Sequence, residues 1–153
     1  MVIGYKKTFS AYVQDGSKPH TLRLPRKKLP KIGEAIHEYE AIRTKYTKLI
    51  RRDRKYYGYQ EVKFKVVKGS IEFWADGQKM PHAALHYLVW KDGFRNGLFP
   101  DWDAFRNFFG LIWEGNFWAG HIYHATSLIY TPEQDWIEKL HEITQLKIEF
   151  VQT

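Results

Sequence analysis

The sequence predicts an α+β fold, on three observations. The run Glu61 to Trp74, EVKFKVVKGSIEFW, alternates Val62, Phe64 and Val66 with Lys63 and Lys65 and turns at Gly69, which is the pattern of a half-buried hairpin. From Pro81 to Trp90 the period changes: Leu85, Leu88 and Val89 fall at i, i+3 and i+4, the stripe of a helix. A second helix is expected over Asp101 to Phe109, with an aspartate at its amino end and Trp102, Phe105 and Phe109 on one face.

The elements before the hairpin read as follows. Residues 2 to 14 form a strand and then a short turn or helix, ending at Asp15-Gly16, where the glycine permits the turn. Pro19 to Leu24 should run extended, with Thr21 and Arg23 on one face and His20 and Leu22 on the other. The next stretch carries Arg26, Lys27 and Lys28 between Pro25 and Pro30 and Lys31 just after, so it cannot be helix interior and is expected to be an exposed loop. After Gly33-Glu34, Ile36, Glu38 and Glu40 alternate with His37, Tyr39 and Ala41, as in a strand, although neither face is cleanly apolar. The run from Arg43 to Gln60 interleaves basic residues with Tyr46, Tyr56, Tyr57 and Tyr59, which suits either base stacking and phosphate neutralisation or a solvated hairpin tip.

After the second helix, Asn116 to Tyr130 is aromatic and β-branched, and should give a closing strand or two strands broken at Gly120. Thr131-Pro132 is expected to start a third helix with Trp136, Ile137, Leu140 and Ile143 at helical spacing, and Gln145 to Val151 could add a strand. The expected organisation is one domain over residues 1–130 and a helical extension over 131–153 packed on it.

At 153 residues without cysteine, the chain can bury about two-thirds of its unfolded surface and has neither disulfides nor thiolate metal sites. Its amino terminus lacks the apolar core of a signal peptide and no apolar run approaches a membrane span, so a cytoplasmic protein without membrane contact is expected. Charge is the most informative bulk property. Residues 1–68 hold 18 Lys and Arg against 6 Asp and Glu, while the remainder holds 6 against 11; the two excesses, +12 and −5, recover the net charge of +7. A basic half of this kind is the electrostatic footprint of a phosphate-backbone binder, or else a basic surface kept for solubility.

Within that half, Gly16, Lys18 and Arg23 form the spacing G-x-K-x4-R, with Thr21 between the two cations. Lysine offers a mobile ammonium, arginine a planar fork and threonine a hydroxyl, a set suited to an anionic or carbonyl-bearing ligand. The spacing resembles the signature of the ASCH domain, which is similar to the PUA domain of RNA-modification enzymes. The run Arg26 to Lys45, RKKLPKIGEAIHEYEAIRTK, resembles the basic loop, glycine turn and strand of small phage-type ASCH proteins. Asp92-Gly93-Phe94, ahead of the Trp102/Phe105 helix, resembles their acidic-Gly-Phe element, and the likeness extends over roughly residues 3 to 125.

The resemblance implies a small mixed β-barrel with helices closing its ends; the carboxy-terminal helix lies beyond it and is expected as an addition to the same domain. It implies an RNA- or modified-nucleoside-binding protein, phage or bacterial, with a cationic cleft at Lys18, Thr21 and Arg23. Arg26, Lys27, Lys28, Arg43, Lys45, Arg51 and Arg52 would hold the nucleic-acid backbone.

It also implies two enzymatic alternatives. Some ASCH proteins are amidohydrolases of N4-acetylcytidine. Here Lys18 and Thr21 stand at the K-x-x-T spacing, with Asp92 as counterpart of the family's glutamate, one methylene shorter. A lysine made less basic by burial and by Arg23 would take the proton from Thr21, and Asp92 would serve the leaving amine. Others cleave RNA, for which His20 and His37 are candidates.

No cofactor or metal is expected: His82 and His86 share a helix face but lack the glutamate of H-E-x-x-H, and read as surface of that helix. Trp90, Trp102 and Trp136 have core spacing, whereas Trp74 and Trp118 are candidates for a wall on which a base stacks.

Overall fold

The computed structural model describes residues 1–143. The fold is α+β, and the described residues divide into two compact units, Met1–Gln60 with His121–Ile129, and Glu61–Gly120 with residues 130–143. The charge excess of the first 68 residues falls mostly within the first unit.

In the first unit the chain runs β1 (Val2–Tyr5), α1 (Lys7–Gln14), β2 (His20–Arg23), β3 (His37–Glu40) and β4 (Lys48–Arg51). The start of β5 (Gly58–Val67) and the end of β10 (Phe117–His124) complete it. Strand β1 pairs in parallel with β3, Ile3 opposite Glu38 and Tyr5 opposite Glu40, and β3 pairs antiparallel with β4. A parallel pair needs a long crossover, supplied here by α1, β2 and the basic loop. Strand β2 lies antiparallel to β10, with Thr21 opposite Tyr123 and Arg23 opposite His121. The apolar core gathers Ile3, Tyr5, Val13, Ile36, Tyr56 and Tyr123.

Helix α1 ends where expected, at Asp15, and its carboxy-terminal carbonyls are closed from outside the helix. Arg51 Nη1 donates to the carbonyls of Val13 at 3.1 Å and Gln14 at 3.4 Å. A guanidinium at this end also complements the negative pole of the helix.

In the second unit β5 pairs antiparallel with β6 (Ser70–Ala75), Phe64 opposite Phe73, and β6 with the short β7 (Gln78–Lys79). The predicted hairpin and its burial parity are both present. Helix α2 (His82–Lys91) buries Leu85, Leu88 and Val89 as expected, together with Ala84 and Tyr87. A small ribbon, β8 (Arg95–Asn96) with β9 (Phe99–Pro100), leads to α3 (Trp102–Phe109). Asp101 caps α3 by accepting the Ala104 N–H at 3.1 Å, and Gly110 closes it in the left-handed region.

Strand β10 passes through Gly120 without a break. The last helix starts later than expected: Thr131-Pro132 lies in a turn, residues 136–143 are helical, and Asp135 accepts the Glu138 N–H at 3.1 Å. An acceptor at the N-cap outweighs a proline that merely tolerates the first turn. The strand expected over residues 145–151 lies outside the described residues.

The strand orders are β1-β3-β4 in one sheet, with β2, β10 and β5 neighbours in the first unit and β10-β5-β6-β7 in the second. None of these orders closes on itself, so the sheets of the described residues are open and the expected barrel closure is not among their pairings.

Candidate functional site

Lys18 follows the Gly16 turn, where φ is +81°, and its backbone N–H is held by the Tyr12 carbonyl at 2.9 Å. Its side chain is turned inward, 2 % exposed, with the ammonium 5.1 Å from the centre of the Phe9 ring and 5.7 Å from that of Tyr5. Thr21, on β2, is 3 % exposed. Arg23 shares the Thr21 face, as alternation requires, and its Nε donates to Thr21 Oγ1 at 3.1 Å. Its Nη2 donates to the Gly4 carbonyl, and its guanidinium lies 5.5 Å from the Tyr5 ring centre. Lysine, threonine and arginine therefore do form one cluster, assembled around Tyr5.

The same cluster contains a carboxylate that sequence reasoning did not single out. Glu38 is fully buried; it accepts from Arg54 Nε at 3.0 Å, from Arg54 Nη2 and from the Tyr5 hydroxyl at 2.9 Å. Arg54 in turn donates Nη1 to the Lys18 carbonyl at 2.7 Å. Burial and the adjacent Glu38 charge raise the Tyr5 hydroxyl well above its ordinary pKa, so it stays a donor. The signal for Glu38 lay in its parity with Ile36, which is 1 % exposed. Arg54 gave none, being one basic residue in a run of them.

Asp92, the expected catalytic carboxylate, lies in the second unit. It is 3 % exposed and forms the C-cap of α2; burial above all, then Tyr87 and the Asp92 charge, raises the Tyr130 hydroxyl pKa. His20 and His37 separate. His20 is buried on the Leu22 face of β2, its ring 5.9 Å edge-on from that of His124, whereas His37 is half-buried on β3. Gln60 bonds His124 at 3.0 Å, and burial, with His20 close by, pushes His124 down to about 3.

The basic residues sort by what they touch. Lys27, Lys28, Arg43, Lys45 and Arg52 are exposed. Arg26 is also exposed, but it is tied down: its backbone N–H donates to the Tyr123 hydroxyl at 3.0 Å and its Nη2 to the Val2 carbonyl at 2.7 Å. Arg51 spends its fork on Asp53, at 2.7 Å from each carboxylate oxygen, and on α1. That ion pair lowers Asp53 to about 2. The turn that presents Arg43 and Lys45 places Ala41 and Arg43 at φ 51° and 64°, and it is closed by Thr44 and Thr47 hydroxyls donating to the Ala41 carbonyl at 2.7 and 3.1 Å. Tyr46 stands out of it, 70 % exposed, with the Lys45 ammonium over its ring.

Of the tryptophans offered as a base-stacking wall, Trp118 points inward, its ring stacked on Phe64 at 5.9 Å and against Phe109 at 4.9 Å. Trp74 faces outward and is half-buried, with Lys63 above it. Trp136 is core, stacked on Tyr130 at 4.9 Å. Trp90 and Trp102 are only half-buried, Trp90 lying under the Arg95 guanidinium at 3.9 Å.

Among the described residues no group of three or more His, Asp or Glu side chains could hold a metal ion, and no helix is long and apolar enough to cross a membrane. Fold and cluster together define an α+β protein whose first unit buries a lysine, a threonine and an Arg-Glu pair beside an exposed basic loop. Comparison with family models, curated proteins and solved structures returns no significant match for this chain.

Proposed function

We propose that the chain is an ASCH-type, PUA-like cytoplasmic protein that binds RNA or a modified nucleoside through its first unit. The observation that carries this reading is the burial of Lys18 and Thr21 next to Arg23. Burying an ammonium and a hydroxyl is costly, and a surface kept only for solubility has no reason to bear that cost. A ligand carbonyl or phosphate entering at this strand would meet a cation, a hydroxyl and a guanidinium held in fixed relation. The exposed Lys27, Lys28, Arg43, Lys45 and Arg52, with Tyr46, supply the non-specific hold on a single strand.

One contact favours the amidohydrolase as a second reading. Arg23 donates to Thr21 Oγ1, so the hydroxyl keeps its own proton to give away while its oxygen is stabilised as charge develops. The resemblance gives the leaving-amine role to Asp92; the buried carboxylate in the first unit is Glu38.

Fluorescence anisotropy with a single-stranded RNA tests the binding reading, and chromatography of N4-acetylcytidine incubations tests the hydrolytic one. A binding module should lose affinity steeply with salt, lose it again in Lys18→Ala, and tolerate Thr21→Ala. A hydrolase should release cytidine from the bare nucleoside and stop doing so in both variants. Salt-insensitive RNA binding, unchanged in Lys18→Ala and with no turnover, would sink both.

A further inference from the structure

A groove of about 460 Å³ lies wholly within the second unit, lined among others by Lys68, Ser70, His82, Trp102 and Arg106. Its volume falls in the range of small-molecule sites. One wall is aromatic. His82 and Trp102 are the first residues of α2 and α3, and their rings lie 5.6 Å apart and 21° from parallel, with His86 edge-on to the same indole at 6.2 Å.

The facing rim is cationic, and it is held in place. Lys68 and Gly69 form the β5–β6 turn at φ 52° and 75°, a conformation that costs a residue with a side chain. The turn is fixed from two directions. The Glu114 carboxylate accepts the Lys68 N–H at 2.8 Å and the Gly69 N–H at 3.1 Å. Arg106 Nη2 donates to the Gly69 carbonyl at 2.9 Å and Nη1 to the Leu111 carbonyl at 3.1 Å. The Glu114 charge partly offsets the two cations. Helix α2 adds to them: its N-cap is Pro81, with no side-chain cap, whereas Asp101 caps α3.

A flat ring on which to stack, two cations and the positive end of a helix fit one ligand chemistry, a planar aromatic that carries an anionic group. We propose that this groove binds a nucleoside 5′-phosphate, free or at the 5′ end of an RNA, with its base against Trp102 and its phosphate at Lys68 and Arg106. The site is separate from the Lys18 cluster and does not rest on the function proposed for it.

The test follows the Trp102 indole N–H resonance, assigned with Trp102→Phe, during titration with AMP, UMP, adenosine and ribose 5-phosphate. The nucleotides should shift it saturably, and each fragment alone should bind at least roughly tenfold more weakly, because stacking and charge pairing are both lost in part. Lys68→Asn removes the charge but suits the left-handed turn; it should weaken AMP at least roughly fivefold, and Lys68→Arg should restore it. Short RNAs with and without a 5′-phosphate separate the two sources: a preference for the phosphorylated RNA over AMP makes the ligand an RNA end, and the reverse a free nucleotide. No saturable Trp102 shift up to roughly 10 mM nucleotide, or equal AMP affinity in Lys68→Asn, overturns the proposal.

Discussion

Arg54 holds the carboxylate of Glu38 with two of its nitrogens while both side chains are buried, Glu38 fully and Arg54 to 9 % exposure. Such a pair contributes little net stability when intact, since desolvation offsets attraction, but it is costly to break from one side. Glu38→Gln should destabilise the protein by about 3–5 kcal/mol in urea unfolding, because the Arg54 charge is left buried with a neutral amide. Replacing both residues, as Glu38→Gln with Arg54→Met, should cost less than the two single changes added together. Additive costs would show that the two side chains do not depend on each other.

Gly4 explains how closely β1 packs under the β3–β4 turn. A Cβ there would collide with Ile42 Cγ2 and lie 3.0 Å from Ile42 Cβ. Gly4→Ala should therefore cost about 1–3 kcal/mol, and Ile42→Ala in the same chain should recover part of it. Loss that persists in the double variant would point to the backbone rather than the clash.

His124 makes stability depend on pH. Its folded pKa, lowered to about 3 by burial and by His20, lies below the ordinary value of 6.5. Below pH 6.5 the unfolded chain binds the extra proton, so this contribution is fully present above that pH and is lost as pH falls toward the folded value. The slope should approach about 1.4 kcal/mol per pH unit between roughly pH 6 and 4.5. His124→Gln, which cannot titrate, should flatten that window in denaturation curves measured from pH 7.5 downward. A slope unchanged by the substitution would assign the effect to other groups.

Arg51 and its neighbours should separate binding from folding. Lys27→Ala and Lys28→Ala remove exposed charges, so each should reduce the salt slope of single-stranded RNA binding by about 0.7 while leaving the melting temperature in place. Arg51→Ala should do the opposite, lowering stability through the lost α1 and Asp53 contacts and leaving the slope nearly as it was.

The hairpin over Glu61 to Trp74, the buried stripes of α2 and α3, and the charge excess of the first 68 residues were all legible from sequence. Each is a local property: a strand or helix exposes its burial pattern as a period of two or of 3.6, whatever it packs against. Lys18, Thr21 and Arg23 could be read for the same reason, since a turn and one short strand bring them together. Tertiary structure alone decided the rest. Glu38, Arg54 and Tyr5 are 16 and 33 positions apart, and no local pattern says that a carboxylate in β3 will meet a guanidinium after β4 and a phenol in β1. The same holds for Trp118, whose direction depended on Phe64 and Phe109, and for Arg51, one basic residue among many until its fork met Asp53 and the end of α1. Sequence fixes which faces must be buried, because that follows from the period of each element; which polar partners meet there is set by the register of parallel β1 and β3 and by the chain that crosses between them.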